Sequence, residues 1–456
     1  MRSLCRFLLF LVLLALSADL PASWWWPFGK STPKQVLPEP PSHGKYIPTD
    51  GDRSKKLYPK KEGDEKDAIS VERVNELAER GNANAQLTLG KIYFDGAAGE
   101  KQDFTKAYRW FVKAAKNGNP EAMYNVAICL DGGFGVKKSD PELAFQWYQY
   151  AAGHGVPEAK AKCAVLAEQR GNPELAFQYY RQLADAGDHS CQYQVALQLL
   201  NGYGVEVDTA LAAEYLLQAS LGGHVRAQVR LADCYQQGVG VERNFRELFR
   251  WLTLAAHDGD PEAQAKLGTC YLQGMGTAPN PDLAFHWFKI SAEAKYATGE
   301  YLLGNCYREG TGVPPNPRTA FEHYLLAAEG GEPLAQYALY QAFAQGEGTR
   351  ADSARAREWL AKAAENGLPL AQAKWGILLL QGEEGLPRDT AKGEEWLQKA
   401  QASQDPAALI QVALCYINGE GLPKDREKGR LLLQAASIEG DKDAAEIYKL
   451  YFGKEF

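Results

Sequence analysis

A segment of about 36 residues recurs ten times from Gly81 onward, and this period limits the folds open to the chain more than any other feature. The unit that begins at Gly259, GDPEAQAKLGTCYLQGMGTAPNPDLAFHWFKISAEA, aligns with those that begin at Gly81 and Gly118. A fixed period of this length is typical of repeat proteins, in which each unit packs against its neighbours in the array. The remaining units begin at Gly155, Gly187, Gly223, Lys295, Gly331, Gly367 and Gln404, and a half unit begins at Gly440.

Each unit is predicted to contain two helices. In the first, a small residue at the fifth position precedes apolar residues at the ninth and at the twelfth or thirteenth, which is the spacing of one buried helical face. A loop such as GVGV (residues 238–241) follows, in which Gly provides the positive φ that ends a helix. Before the second helix stands an Asp or Asn whose side chain can cap the first turn. These residues are Asp103, Asp140, Asn172, Asp208, Asn244, Asn280, Asn316, Asp352, Asp389 and Asp425.

The third unit departs from this pattern. It has 32 residues and lacks the Gly-rich loop, reading GVPEAKAKCAVLAEQRGNPELAFQYYRQLADA from Gly155. We therefore expect a tight turn between its two helices and a local change in the path of the array.

The repeated pattern resembles the Sel-one-like repeat, a relative of the tetratricopeptide repeat. The resemblance covers about Ala68 to Phe456 and is carried by stretches such as EAQAKLGTCYLQGMG followed by PDLAFHWF. A period of 36 and the Gly-rich loop between the helices distinguish it from the tetratricopeptide proper, whose period is about 34 residues. The resemblance implies an all-α fold, a right-handed α-solenoid of about ten helix-turn-helix repeats of 36–37 residues plus a C-terminal half repeat. It also implies an adaptor in protein complexes.

Residues 1–17 are predicted to form a secretory signal peptide. Two arginines precede an apolar stretch over residues 7–16, and Ala15 and Ser17 supply the small residues expected before a cleavage site. Cleavage after Ser17 gives a mature chain that begins at Ala18, and we expect a secreted or periplasmic protein.

The alternative for this segment is an uncleaved membrane anchor. Residues 7–26 are long enough to cross a bilayer, and the tryptophans at the end of that span would lie at the level of the lipid headgroups. Asp19 and Pro21 would fall inside the span, where a carboxylate and a helix breaker are unfavourable. The sequence therefore favours cleavage.

Residues 18–67 are predicted to be a disordered linker rich in Pro and Lys. The linker contains three consecutive tryptophans, Trp24, Trp25 and Trp26, and exposed clusters of aromatic side chains usually mark a contact. Two alternatives stay open for this cluster. It packs against the protein's own first helices, or it makes a peripheral contact with a partner, the membrane or the cell wall.

Charge is distributed unevenly along the chain. Residues 1–61 have a net charge of +6, which leaves −13 for residues 62–456 out of the total of −7. The basic segment serves solubility or attracts anionic lipid or wall polymers. An acidic body without a basic face argues against nucleic acid as the partner.

Most of the eight cysteines are predicted to be buried thiols that fill a small slot. Equivalent helices in neighbouring repeats lie about 8–10 Å apart, beyond the roughly 7 Å over which a disulfide can join two Cα atoms. Cys163 and Cys191, from adjacent units, are the one pair that stays a candidate disulfide. The cysteines at the twelfth position of their units are Cys129, Cys234, Cys270, Cys306 and Cys415.

No catalytic, cofactor or metal site is predicted. The seven histidines are scattered, and none has the spacing of metal ligands. The sequence contains no nucleophile elbow, phosphate-binding loop or dinucleotide fingerprint. Paired carboxylates such as Glu383 and Glu384 stand on a predicted loop, where solvated charge is the ordinary explanation.

The side chains predicted to bind a partner are those of the first helices that point away from the core, at the eighth and eleventh positions of the unit. They would line a polar groove of mixed charge, suited to an extended peptide, a carbohydrate or a folded protein. The candidates are Asn125, Gln194, Arg230, Asp233, Lys266, Thr269, Asn305 and Gln341, together with Trp24, Trp25 and Trp26.

The sequence therefore predicts a non-catalytic scaffold or adaptor in the bacterial cell envelope that binds a protein or peptide partner on the groove. One alternative, suggested for cysteine-rich relatives, is a protein that binds or hydrolyses β-lactams or cell-wall fragments, which would need a reactive nucleophile. Another places the chain in the eukaryotic secretory pathway as a degradation adaptor.

Overall fold

The computed structural model describes residues 70–383, 385–438 and 441–453, so the predicted signal peptide and linker, with Trp24, Trp25 and Trp26, lie outside the described residues. Within these ranges the chain forms 22 helices and one isolated β-bridge, between Glu383 and Leu386. The predicted all-α solenoid is confirmed. The helices are α1 (Val71–Glu79), α2 (Ala83–Asp95), α3 (Phe104–Lys116), α4 (Pro120–Gly132), α5 (Pro141–Gly153), α6 (Pro157–Gln169), α7 (Pro173–Asp185), α8 (His189–Asn201), α9 (Thr209–Leu221), α10 (Val225–Gln237), α11 (Phe245–His257), α12 (Pro261–Gln273), α13 (Pro281–Glu293), α14 (Ala297–Glu309), α15 (Pro317–Glu329), α16 (Pro333–Gln345), α17 (Ser353–Glu365), α18 (Pro369–Gln381), α19 (Thr390–Ala402), α20 (Pro406–Asn418), α21 (Arg426–Ile438) and α22 (Lys442–Phe452).

After α1, the helices form ten pairs, one for each predicted repeat. The first helices of the repeats have even numbers, from α2 to α20, and the second helices have odd numbers, from α3 to α21. The last helix, α22, is the predicted half repeat. Helix α14 shows the packing rule, because it contacts α15 of its own repeat and α13 of the repeat before it.

The described chain divides into two compact units, with the boundary inside α10. The N-terminal unit contains residues 70–227 and Val239–Val241, and its largest core cluster includes Phe111, Val126 and Tyr148. The C-terminal unit contains Gln228–Gly238 and the described residues from 242 onward. Its core is a series of clusters, each built around one large residue of a second helix: Phe288, Tyr324, Leu360, Leu397 and Leu433.

The predicted caps are confirmed in all ten repeats. Each second helix begins after the expected Asp or Asn, whose side chain accepts a hydrogen bond from a backbone N–H of the first turn. In Asn280, for example, Oδ1 lies 3.0 Å from the backbone nitrogen of Leu283. These bonds satisfy amides that have no partner within the helix, and each contributes about 1 kcal/mol.

The third repeat makes the tight turn that its short sequence predicts. Only three residues separate α6 from α7, and the middle one, Gly171, has a φ of 70°. Asn172 then caps α7 through a bond from the backbone N–H of Leu175. The expected change in the path of the array stays a prediction.

Small and aromatic residues fill the space between the helices. Ala107, Ala144 and Ala284 at the close approach of the second helices are fully buried. Trp251 is 3% exposed, whereas the five tryptophans at the equivalent positions are half-buried, and four of them pack against a core cluster. In α17 and α19, Lys362 and Lys399 lie over the exposed faces of their indole rings. No helix in the described ranges combines enough length and apolar character to cross a bilayer.

Candidate functional site

Two of the predicted partner-binding residues, Asn125 and Gln194, belong to the N-terminal unit. Asn125 lies on α4 and Gln194 on α8, and both are half-buried. The side-chain nitrogen of Asn125 is buried and has no hydrogen-bond partner, which is costly for an amide. The two residues do not form a common site, because the whole third repeat lies between their helices.

Three of the predicted residues come together in the C-terminal unit to form an acid–base cluster. The Lys266 ammonium on α12 lies 2.7 Å from the carboxylate of Asp233 on α10 and 2.7 Å from that of Glu262. Arg230 reaches Asp233 from one turn away, at 3.4 Å. The cluster (Arg230, Asp233, Glu262 and Lys266) therefore joins the first helices of two neighbouring repeats.

Asp233 is the most deeply placed member of the acid–base cluster, with 8% of its surface exposed. Burial raises the pKa of its carboxyl, and the neighbouring Lys266 opposes that rise. A buried carboxylate with a cation at hydrogen-bond distance stabilises one arrangement of the two helices, and removing Lys266 would leave the more distant Arg230 as the partner of the buried charge. The cluster therefore stabilises the contact between α10 and α12. Its outer members, Arg230 and Glu262, lie toward the surface.

Two other predicted residues, Asn305 and Gln341, lie beside a small pocket in the C-terminal unit. The Tyr324 hydroxyl donates a hydrogen bond to Asn305 Oδ1 at 2.7 Å. Arg308 at the rim pairs with Glu309 at 2.7 Å. Gln341, Glu347, Arg308 and Tyr324 line the pocket, with small and apolar residues between them.

This tyrosine pocket (Arg308, Tyr324, Gln341 and Glu347) lies between the first helices α14 and α16, with the second helix α15 beneath. Its internal volume of about 20 Å³ accommodates roughly one water molecule. Burial raises the pKa of the Tyr324 hydroxyl well above its usual range, so the phenol keeps its proton and serves as a hydrogen-bond donor. The pocket offers both hydrogen-bond donors and acceptors.

The last predicted residue, Thr269, is turned toward its own helix. Its hydroxyl donates a hydrogen bond to the backbone oxygen of Ala265 at 3.1 Å. Sequence reasoning missed Lys374, whose ammonium lies 5.6 Å from the ring of Tyr337 and 5.9 Å from that of Tyr340. Lys374 occupies the eighth position of its repeat, so the same spacing rule could have identified it.

Tyr324 and Glu347 were also missed. Tyr324 is on a second helix and Glu347 is in a loop, so neither stands at a position that the spacing of the first helices singles out.

The described cysteines have the environment of structural thiols. All seven are buried and free, including Cys163 and Cys191, the pair considered as a disulfide. Burial raises the pKa of Cys129 to about 12 and that of Cys163 to about 11. At neutral pH they are protonated, and a protonated buried thiol is a poor nucleophile.

Comparison with known proteins identifies the repeats. A family model described as the Sel1 repeat matches ten segments, residues 83–119, 120–156, 166–188, 189–224, 225–260, 261–296, 297–332, 333–368, 369–401 and 406–441. The short match at 166–188 falls in the repeat that lacks the Gly-rich loop. A search of curated proteins finds no match.

Two of the similar solved structures are those of bacterial proteins. One is c5321, a protective antigen present in uropathogenic Escherichia coli strains and displaying an SLR fold. It is 30% identical, with 85% of this chain and 84% of that chain covered and a TM-score of 0.58. A Sel1 repeat protein from Oxalobacter formigenes is 26% identical over 53% of this chain and 96% of its own, with a TM-score of 0.48.

Proposed function

Because the chain belongs to the Sel1 repeat family, whose fold is commonly a scaffold for protein interactions, we propose that it is a non-catalytic scaffold that binds a protein or peptide partner. The binding surface in this proposal is the face formed by the eighth and eleventh positions of the first helices, together with the tyrosine pocket. The predicted residues on that face are Asn125, Gln194, Arg230, Asp233, Lys266, Thr269, Asn305 and Gln341.

The observation that carries this proposal is the arrangement of half-buried polar side chains in successive first helices of the C-terminal unit. Each full repeat of this unit contributes a half-buried polar residue at one or both of these positions, among them Lys266, Asn305 and Gln341. A partner that lies across several repeats meets a row of donors, acceptors and charges that repeats at the spacing of the helices. Rows of this type favour a chain that is itself extended.

The non-catalytic part of the proposal is supported by the thiols. The β-lactam or wall-fragment alternative needs a nucleophile that a substrate can reach, and the described cysteines are buried with raised pKa values. Covalent labelling of the protein by a fluorescent penicillin would overturn the non-catalytic assignment.

The location in the bacterial envelope rests on the sequence of residues 1–17 and is part of the proposal. The relative from uropathogenic E. coli is described as a protective antigen, which supports an exported protein. N-terminal sequencing of the protein purified from its own cell tests the point. A first residue of Ala18 supports export with cleavage, and an intact Met1 supports the anchored alternative and contradicts cleavage.

The binding surface can be tested by site-specific photocrosslinking in the cell that produces the protein. A photoreactive phenylalanine derivative at Gln341 should give discrete crosslinked products. The matched control is the same derivative at Leu326, which is 53% exposed on a second helix. Equal products from both positions, or products from Leu326 alone, would contradict the assignment of the surface.

The same experiment in a chain without Trp24, Trp25 and Trp26 tests the contact proposed for the N-terminal segment. If the products from Gln341 are unchanged, the tryptophans do not anchor that partner.

A further inference from the structure

In six repeats of the described chain, one glycine of the Gly-rich loop lies against a backbone carbonyl group of the preceding repeat. The carbonyl belongs to the first residue of the preceding second helix, and a Cβ added to the glycine would lie 1.9–2.5 Å from its oxygen. Backbone therefore meets backbone at the same point of six boundaries. These glycines are Gly135, Gly204, Gly240, Gly276, Gly312 and Gly348.

The boundary between repeats two and three has no such loop, and a side chain takes its place. The corresponding carbonyl is that of Pro141, the first residue of α5. Arg170, in the short turn between α6 and α7, donates a hydrogen bond from Nη2 to this carbonyl oxygen at 3.2 Å. The neighbouring Gly171 does not contribute to the contact, because a Cβ added there would meet nothing within 4 Å. Arg170 thus contacts the group that a loop glycine contacts elsewhere.

Two more contacts fix the guanidinium group of Arg170. Its Nη2 lies 3.0 Å from the carboxylate of Glu142, and its central carbon lies 4.0 Å from the ring centroid of Phe145. Phe145 packs against the core cluster of the N-terminal unit. A planar guanidinium can stack on a ring while it donates to two acceptors, which the ammonium group of a lysine does less well. We call Arg170, Pro141, Glu142 and Phe145 the arginine latch.

The arginine latch differs from a loop contact in how it can be released. The side chain of Arg170 is 28% exposed and that of Glu142 is 81% exposed, so salt in the solvent screens their attraction. An exposed side chain also changes rotamer within nanoseconds, whereas a loop glycine leaves its carbonyl only if the loop itself moves. The latch can therefore open under conditions that leave the loop contacts closed.

We propose that the arginine latch is a conformational switch at the boundary between repeats two and three. With the latch closed, as in the structure, repeat three is held against the first turn of α5. With the latch open, α6 and α7 move more freely against repeat two, while the boundary between repeats three and four stays closed through Gly204. Raising the ionic strength shifts the population toward the open state. The switch does not depend on the proposed binding of a partner.

Hydrogen exchange of the full chain, read by mass spectrometry of its peptides, tests the switch. The amides of α6 and α7 should exchange about threefold faster at about 500 mM than at about 50 mM sodium chloride, because the exposed ion pair is screened. The amides of α8 and α9 are the internal reference and should exchange at the same rate at both concentrations. Rates for α6 and α7 that do not change with salt would contradict the switch.

Substitutions at the arginine latch separate its contacts. Arg170→Ala removes all three, so α6 and α7 should exchange about tenfold faster than in the native chain and lose their dependence on salt. Arg170→Lys keeps the charge but not the planar group and should give about a threefold increase. Glu142→Gln should abolish most of the salt dependence with about a twofold increase, because the bond to the Pro141 carbonyl remains.

The matched control is Arg109→Ala, which removes an exposed arginine from α3 in repeat one. It should leave the exchange of α6 and α7 unchanged. Arg109, Glu142 and Arg170 are all exposed, so the fold is retained in these variants, which circular dichroism verifies. The same acceleration in Arg109→Ala and Arg170→Ala would assign the effect to net charge and overturn the proposal.

A loop graft tests whether the arginine latch replaces a loop. Residues 170 and 171 are exchanged for residues 202–207 of repeat four, Gly-Tyr-Gly-Val-Glu-Val, which lengthens repeat three from 32 to 36 residues. The grafted chain should protect α6 and α7 at least as well as the native chain, without dependence on salt. A folded graft that exchanges as fast as Arg170→Ala would overturn the proposal. If the graft does not fold, the salt dependence of the native chain and the effect of Arg170→Ala decide.

Discussion

The chain reverses direction twice in each repeat, and the two turns are built differently. In the loop inside repeat eight, Gly348 has a φ of 70°, and a Cβ added to it would lie 2.1 Å from the carbonyl oxygen of Pro317 in the preceding repeat. At the junction before repeat eight, Gly331 has a φ of 89°, and an added Cβ would meet nothing within 4 Å. Both turns use glycine, for different physical reasons.

Two junctions place another residue where the others have glycine: Lys295 with a φ of 60° and Gln404 with a φ of 55°. A side chain in the left-handed region costs about 1–2 kcal/mol, which the packing of the neighbouring helices can offset. At most of the Gly-rich loops in the described chain, backbone meets backbone across two repeats, and no side-chain rearrangement can make room. The loops therefore hold neighbouring repeats together, and the junctions only turn the chain.

The largest expected effect is that of Gly348→Ala. The new Cβ combines a left-handed conformation with an overlap against a backbone oxygen, so we expect a loss of about 3 kcal/mol in the free energy of unfolding. The measurement is the midpoint of urea unfolding, followed by far-ultraviolet circular dichroism. The matched control is Gly331→Ala, which should cost about 1 kcal/mol because only the conformation is unfavourable. Equal losses in the two variants would remove the distinction between loop and junction.

Removal of a cap should have the next largest effect. Asp352 ends the loop of repeat eight and accepts bonds from the backbone N–H groups of Ala354 and Arg355, both at 3.0 Å. We expect Asp352→Ala to lower the free energy of unfolding by about 1 kcal/mol. Asp352→Asn should keep most of the stability of the native chain, because the amide oxygen can accept the same bonds. A similar loss in both variants would assign the effect to charge instead of capping.

The caps of the first helices, at the junctions, are less uniform than those of the second helices. The first helices α6, α14 and α18 begin after Val156, Tyr296 and Leu368, which make no side-chain cap. Val156 and Leu368 pack against the core clusters instead. Burial of an apolar side chain thus replaces a cap bond at some junctions, whereas every second helix keeps its cap.

These differences explain how far the sequence could predict the structure. The caps and loop glycines were predictable because each depends on residues three or four positions apart, such as Asn280 and Leu283. The ion pair between Lys266 and Asp233 joins two repeats, and its formation depends on how the helices are offset sideways, which the periodicity does not encode. The tyrosine pocket was missed for the same reason, because Tyr324 reaches the face of the first helices from the second helix beneath.

A smaller effect, an increase in the free energy of unfolding, is expected at the junction before repeat seven. Lys295→Gly removes a side chain from a left-handed position and should raise the free energy of unfolding by about 0.5–1 kcal/mol, after the greater freedom of glycine in the unfolded chain is counted. Lys295→Ala keeps the Cβ and removes the charge, so its stability should stay near that of the native chain. Stabilisation by Lys295→Ala as large as that by Lys295→Gly would point to the charge as the cause.

The smallest effect is a difference in pH dependence between a junction cap and a loop cap. Burial raises the pKa of Asp405, which caps α20 at a junction, above its ordinary value of 3.8. A backbone hydrogen bond from Lys392 lowers the pKa of Asp389, which caps α19 at the end of a loop, below the same value. The two carboxyl groups therefore contribute to stability in opposite ranges of pH.

Asp405 binds its proton more tightly in the folded state, so its contribution is fully present below pH 3.8 and is lost as the pH rises through the folded pKa. Asp389 contributes above pH 3.8, and that contribution is lost as the pH falls through its lower folded pKa. Relative to the native chain, Asp405→Asn should therefore gain stability between pH 3 and pH 7, and Asp389→Asn should lose it. Urea unfolding at the two pH values measures both changes, and the same sign in both variants would show that the caps of loop and junction share one electrostatic environment.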